Sequence, residues 1–90
     1  MKAKSTAESR AVQMTERAHE AAELLKAMAN PQRLRVLCLL IEREMSVGEI
    51  NAMVELSQSA LSQHLAVLRE KQLVTTRREA QTVFYSVHDG

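Results

Sequence analysis

The stretch Leu56 to Glu70, LSQSALSQHLAVLRE, constrains this chain more than any other. Read as a helix at roughly 100° per residue, it places Leu61, Leu65 and Leu68 together on one side. Gln58, Ser59, Ser62 and Ala66 fall on an adjoining flank, with Gln63 at its far edge and Arg69 at its C-terminal end. No Asp or Glu occurs from Leu56 to Arg69, although Glu55 precedes the stretch and Glu70 closes it. A helix with an apolar back and a front of short amides and hydroxyls is built to sit on a hydrophobic core and touch something polar.

The residues before it supply a second helix. Ser46-Val47-Gly48-Glu49 has the form of a capping box, Ser at the cap and Glu three positions on, with Met45 and Ile50 placed for a hydrophobic staple. Ser57 repeats the cap, with Leu56 and Leu61 at the staple positions. The short helix expected from Val47 to about Met53 is thus separated from the amide-rich helix only by Val54 to Leu56, which is a helix-turn-helix. Further upstream, Asn30-Pro31 marks a helix start: Asn accepts from free N–H groups, and Pro loses nothing at the first helical position. From Pro31 to about Arg43, Leu34, Val36, Leu37, Cys38, Leu40 and Ile41 cover most of the circumference, so this helix is expected to be central and buried on most sides. Ala18, Ala21, Ala22, Leu25 and Met28 recur at helical spacing and predict a first helix from Thr15, its cap, to Met28. Residues 1–14 lack strong periodicity and are expected to form a mobile tail, helical only near its end.

After Lys71 the period changes from 3.6 to 2. Leu73–Arg77 and Thr82–Val87 read as strands joined by the polar turn Arg78-Glu79-Ala80-Gln81. A hairpin directly after a helix-turn-helix predicts a mainly α fold with a β-hairpin wing, a winged helix-turn-helix, over residues 15–90.

The totals narrow the function classes. Ninety residues bury only about 60–65% of the unfolded surface, so the domain is small and marginally stable. Phe84 and Tyr85 are the only aromatic residues, which leaves a core of Leu, Val, Ile, Met and Ala. A net charge of +1 argues against a binder that relies on many nonspecific phosphate contacts. The local balance differs: residues 57–82 carry Arg69, Lys71, Arg77 and Arg78 against Glu70 and Glu79. The lone Cys38 excludes an intrachain disulfide and any multi-cysteine zinc motif. The N-terminus MKAKSTAESR has no apolar leader region, and no apolar run approaches a membrane span of ~20 residues; a cytoplasmic protein is expected, with no membrane contact. No Gly-rich phosphate loop, nucleophile elbow or carboxylate pair suggests an enzyme, and no cofactor is expected.

LLKAMANPQRLRVLCLL, SVGEI, LSQSALSQHLAVLRE and LVTTRREAQTVFYSV together resemble the ArsR/SmtB family of bacterial winged-helix regulators, across residues 24–87. The string S-x-S-x-L-S-x-H-L-x-x-L-R, followed by a wing ending in F-Y-S, is the most specific part. Within the family the chain is most similar to the non-metal branch of hemolysin-expression activators and biofilm growth-associated repressors. The resemblance implies a homodimer on a pseudo-palindromic double-stranded DNA operator, with half-sites ~34 Å apart. The helix Ser57–Glu70 would enter the major groove and the wing would follow the flanking backbone. By family position Gln58, Ser59, Ser62 and Gln63 are candidate base readers; Gln suits adenine and Ser takes either role. Ser57, His64, Arg77, Arg78 and Gln81 are candidate backbone contacts, which position without reading sequence. Ala18, Ala21, Ala22 and Leu25 are the implied dimer surface.

Two departures bear on sensing. Metal-sensing relatives carry Cys-x-Cys where this chain has Ser46-Val47-Gly48, so no metal site is expected. The sequence stops at Gly90, before the C-terminal helix that in relatives holds other metal ligands, a second cysteine and half the dimer interface. Cys38 reads either as a small buried hydrophobe or as a redox-responsive thiol. His64 lies off the polar front, at a rim or core position or against a phosphate; His19 and His88 are expected at the surface. The function expected is sequence-specific transcriptional regulation. The alternative is a winged-helix protein-interaction module that never touches DNA.

Overall fold

The computed structural model describes residues 6–87. Four helices and three strands follow in the order α1 (Thr6–Met28), α2 (Pro31–Glu42), β1 (Met45–Ser46), α3 (Val47–Met53), α4 (Gln58–Glu70), β2 (Val74–Glu79) and β3 (Thr82–Val87). This is a winged helix-turn-helix.

The helix starts expected from cap chemistry are present. Asn30 Oδ1 accepts from the backbone N–H groups of Gln32 (2.9 Å) and Arg33 (3.1 Å) at the start of α2. Ser46 Oγ accepts from Glu49 N–H at 3.2 Å, and Ser46 N–H donates to Glu49 Oε1 at 2.9 Å, which completes the capping box of α3. Ser57 Oγ accepts from Ala60 N–H at 3.1 Å and caps α4. The intervening turn is pinned by Asn51 Nδ2, which donates to the Leu56 carbonyl at 2.9 Å.

The end of α4 has a device the sequence hides. Leu73 N–H reaches back to the Leu68 carbonyl (2.9 Å) and Gln72 N–H to the Arg69 carbonyl (3.0 Å), the paired bonds of a Schellman motif. Gln72 takes the left-handed conformation, φ 61°, where glycine is usual. This turn aims the chain from α4 into β2.

The core is one cluster: Val36, Leu37, Leu40, Met45, Ile50, Val54, Leu61, Leu65, Leu68 and Val74. It joins α2, the helix-turn-helix and the root of the wing, so the attitude of α4 is set by apolar packing. The sheet order is β1-β3-β2, antiparallel throughout. β2 and β3 pair from Val74 opposite Val87 to Glu79 opposite Thr82, leaving the two-residue turn Ala80-Gln81.

Three expectations are corrected. First, α1 begins at Thr6, so residues 6–14 belong to a helix and not to a tail; residues 1–5 lie outside the described part. Thr15 is interior and donates its hydroxyl to the Ala11 carbonyl at 2.9 Å instead of capping. The segment is rich in Ala, Glu, Arg and Gln, strong helix formers that need no apolar periodicity to propagate a helix. Second, α2 is not buried on most sides: Leu34 is 47% and Ile41 69% exposed, and Cys38 is exposed. The three lie at helical spacing on one face, away from the buried Val36, Leu37 and Leu40. Third, the turn expected over Arg78-Glu79-Ala80-Gln81 shrinks to Ala80-Gln81, because Arg78 and Glu79 extend β2 and pair with Val83 and Thr82; Met45-Ser46 adds a third strand that pairs with Tyr85-Phe84 of β3.

Candidate nucleic-acid interface

Leu61, Leu65 and Leu68 are at most 1% exposed and fix α4 from behind. Gln58, Ser59, Ser62, Gln63 and Ala66 are exposed. Among the described residues, the one side-chain hydrogen bond of the four candidate base readers is Ser59 Oγ, 3.5 Å from Ser57 Oγ. The amides of Gln58 and Gln63 and the hydroxyl of Ser62 therefore remain available to an external partner. Ser57 itself is exposed but already committed to the Ala60 N–H as cap.

His64 is half-buried, with Nδ1 3.4 Å from Arg33 Nη1. A guanidinium only donates, so Nδ1 is the acceptor and a neutral ring carries its proton on Nε2. Arg33 Nε also donates to the Ala27 carbonyl at the end of α1, at 2.6 Å. One side chain thus ties α1, α2 and α4 together. His19 is exposed, and His88 lies outside the described residues.

The wing differs from its expected role in one arginine. Arg77, a candidate phosphate contact, is engaged internally: Nε meets both Glu44 oxygens at 2.9 Å, Nη2 meets Glu44 Oε1 at 2.6 Å, and Nη1 meets Glu79 Oε2 at 2.7 Å. Its guanidinium carbon also stands 4.5 Å from the Phe84 ring centroid. Glu44 first, then Glu79, hold the side chain even more firmly protonated than an ordinary arginine. Its charge is neutralised locally and clamps the wing to the α2–β1 junction. Arg78 is exposed and makes no ion pair among the described residues. Gln81, in the turn, is also exposed.

Between α4 and β3 runs an open cleft of about 460 Å³ lined by Ser62, Ala66, Arg69, Glu70 and Tyr85. Along α1, Ala18, Ala21 and Ala22 are exposed and Leu25 is 62% exposed. Among the described residues no three His, Cys, Asp or Glu side chains are grouped to hold a metal ion. No described helix is long and apolar enough to cross a membrane. The roles of Glu44, Phe84, Arg33 and Tyr85 depend on contacts distant in the chain and leave no local signal in the sequence.

A family model described as bacterial regulatory protein, arsR family, matches residues 30–76, which hold α2, the helix-turn-helix and the start of the wing. The chain belongs to the ArsR family. Over 75 residues it is 59% identical to the transcriptional activator HlyU of Vibrio cholerae, covering 83% of this chain and 69% of HlyU. It is 58% identical over 72 residues to the nodulation protein NolR of Rhizobium meliloti, covering 76% of this chain and 59% of NolR. It is 51% identical over 72 residues to the biofilm growth-associated repressor of Agrobacterium fabrum, covering 80% of this chain and 62% of the repressor. The chain thus spans 59–69% of the length of these relatives. The solved structure of V. cholerae HlyU matches with a TM-score of 0.77 over 81% of this chain and 79% of that one. The relatives include an activator and a repressor of transcription, and the chain is a DNA-binding transcription regulator of the helix-turn-helix type.

Proposed function

We infer that this chain acts as a homodimer on an inverted-repeat promoter site, each α4 entering one of two successive major grooves. The observation that carries this reading is the front of α4: an acid-free row of exposed amides and hydroxyls on a helix whose back is fully buried. Gln58, Ser59, Ser62 and Gln63 read base edges. Arg78, Gln81 and His64, with Ser57 at the helix start, meet the flanking backbone. The exposed Ala18, Ala21, Ala22 and Leu25 supply the surface for a second copy. Promoter occupancy is the output, by blocking polymerase or displacing another bound protein.

A fluorescence-anisotropy titration with promoter duplexes tests it. Gln63→Ala loses about 1–3 kcal/mol of discrimination between the preferred duplex and one altered at the contacted base. Equal affinity for all sequences, before and after the substitution, sinks the reading.

Exposure of Cys38 supports thiol-responsive control, since a reactive thiol needs access. Hydrogen peroxide oxidises a thiolate to sulfenic acid with release of hydroxide. Peroxide then weakens operator binding by the wild type and leaves Cys38→Ser unaffected. Exposed Leu34 and Ile41 favour a second reading, docking of a different protein chain. A monomer by light scattering that binds no duplex supports that reading over the first.

A further inference from the structure

The cleft between α4 and β3 lies beside the front of α4 and shares Ser62 with it, so it opens on the DNA-facing side. At roughly 100° per residue, Arg69 falls within about 40° of Gln58 and Ser62. It stands roughly 10 Å beyond Ser62 along the helix. Ala66, between them, is small and leaves the floor open. The opposite wall is Tyr85, whose backbone is paired on both sides, with Met45 of β1 and Thr76 of β2. Arg69 is exposed and makes no ion pair among the described residues, unlike Arg77, whose charge is already neutralised. Glu70 lines the cleft and is its one carboxylate.

We propose that this cleft seats a phosphodiester of the bound duplex, with Arg69 supplying the charge and the Ser62 and Tyr85 hydroxyls donating to phosphate oxygens. The inference rests on the DNA-binding reading above and adds to it a backbone site that sits between the base-reading helix and the wing. The strand that leaves the major groove at the front of α4 passes through the cleft before reaching the wing turn. Arg69 there positions the helix and does not read sequence, so its loss weakens preferred and unrelated duplexes alike. Glu70 opposes the phosphate and moderates the affinity.

Anisotropy titrations of the full chain across a salt series, on a promoter duplex and on an unrelated duplex, test it. Arg69→Gln lowers the slope of log affinity against log salt by about one on both duplexes. Arg69→Lys keeps the slope, which separates charge from shape. Tyr85→Phe weakens binding several-fold with the slope unchanged, and Glu70→Gln tightens it. Arg35→Ala, an exposed cation on α2, leaves the slope as it was. Circular dichroism shows that each variant is folded. Inorganic phosphate, at a concentration that leaves ionic strength matched, does not compete; competition by phosphate would mark the cleft as a small-anion site and overturn the proposal. If the wild type binds duplexes and Arg69→Gln keeps the full slope, the cleft proposal fails and the DNA-binding reading stands. If the wild type binds no duplex, both fail.

Discussion

Helix α4 and the wing are held by different means. Behind α4 three leucines are at most 1% exposed, and the polar front is left almost free of internal partners. In the wing only Val74 is buried; Val83, Phe84, Tyr85 and Val87 are half-covered, and the hairpin is held by β3 pairing with β1, by Tyr85 and Val87 against the core and by the Arg77–Glu44 ion pair. The helix owes its attitude to apolar burial and leaves its polar groups exposed. The wing adds an arginine clamp to its sheet pairing and leaves Arg78 exposed. Apolar burial is not screened by salt, whereas exposed ion pairs weaken as ionic strength rises. Helix α4 is therefore the rigid element of this pair and the wing the salt-sensitive one.

The largest expected effect comes from the helix side. Leu65→Ala removes a fully buried side chain from the centre of the core cluster. Truncations of this kind cost about 2–5 kcal/mol, a large part of the stability of a 90-residue domain. Urea unfolding should show the midpoint falling sharply, with DNA affinity lost only as the folded fraction falls. A cost below that of the wing substitution described next would reverse the comparison.

The wing effect is smaller and salt-dependent. Arg77→Met keeps a long stem over Phe84 but removes the bonds to Glu44 and Glu79. Arg77 is half-exposed, at 50%, and Glu44 is 34% exposed, so the ion pair belongs with surface pairs. A double-mutant cycle of Arg77→Met with Glu44→Gln should give a coupling of about 0.2–1 kcal/mol. Raising salt should shrink it. Amide exchange in β2 and β3 should speed up while that of α4 stays unchanged. Equal loosening of α4 would mean that the wing and the helix are one mechanical unit.

The same contrast explains what could be read from the sequence. Asn30, Ser46, Glu49 and Ser57 announce helix starts through bonds that span three residues or fewer, so their chemistry is local and visible. The leucine stripe and the period change at Lys71 are also local patterns. Arg77 and Glu44 are 33 residues apart in the chain, and no pattern links them. The sign of the charge suggests a phosphate contact and carries no trace of the tertiary pairing with Glu44. Leu34, Cys38 and Ile41 misled for a different reason: an apolar residue on a helix signals a need for cover, not that the described residues supply it. The early start of α1 was missed because helix propensity without amphipathic contrast leaves no periodic trace.

The smallest effect belongs to the first turn of α3, where Glu49 serves both cap and ion pair. Its carboxylate is held below the ordinary range, first by the Ser46 backbone N–H and then by Arg43, whose Nη1 lies 3.0 Å from Oε2. A carboxyl whose folded pKa is lowered binds protons less readily than in the unfolded chain. Its stabilising contribution is therefore complete above the unfolded value and is lost as pH falls through the folded one. Glu49→Gln keeps an acceptor for the Ser46 N–H but carries no charge, so it removes this pH dependence and leaves the cap in place. Urea midpoints of wild type and Glu49→Gln should differ at neutral pH and converge in acid below the lowered pKa. Added salt should shrink the part of the difference owed to the exposed Arg43 and leave the backbone part. A difference that persists unchanged into acid would mean that shape, not charge, distinguishes Glu from Gln at this cap.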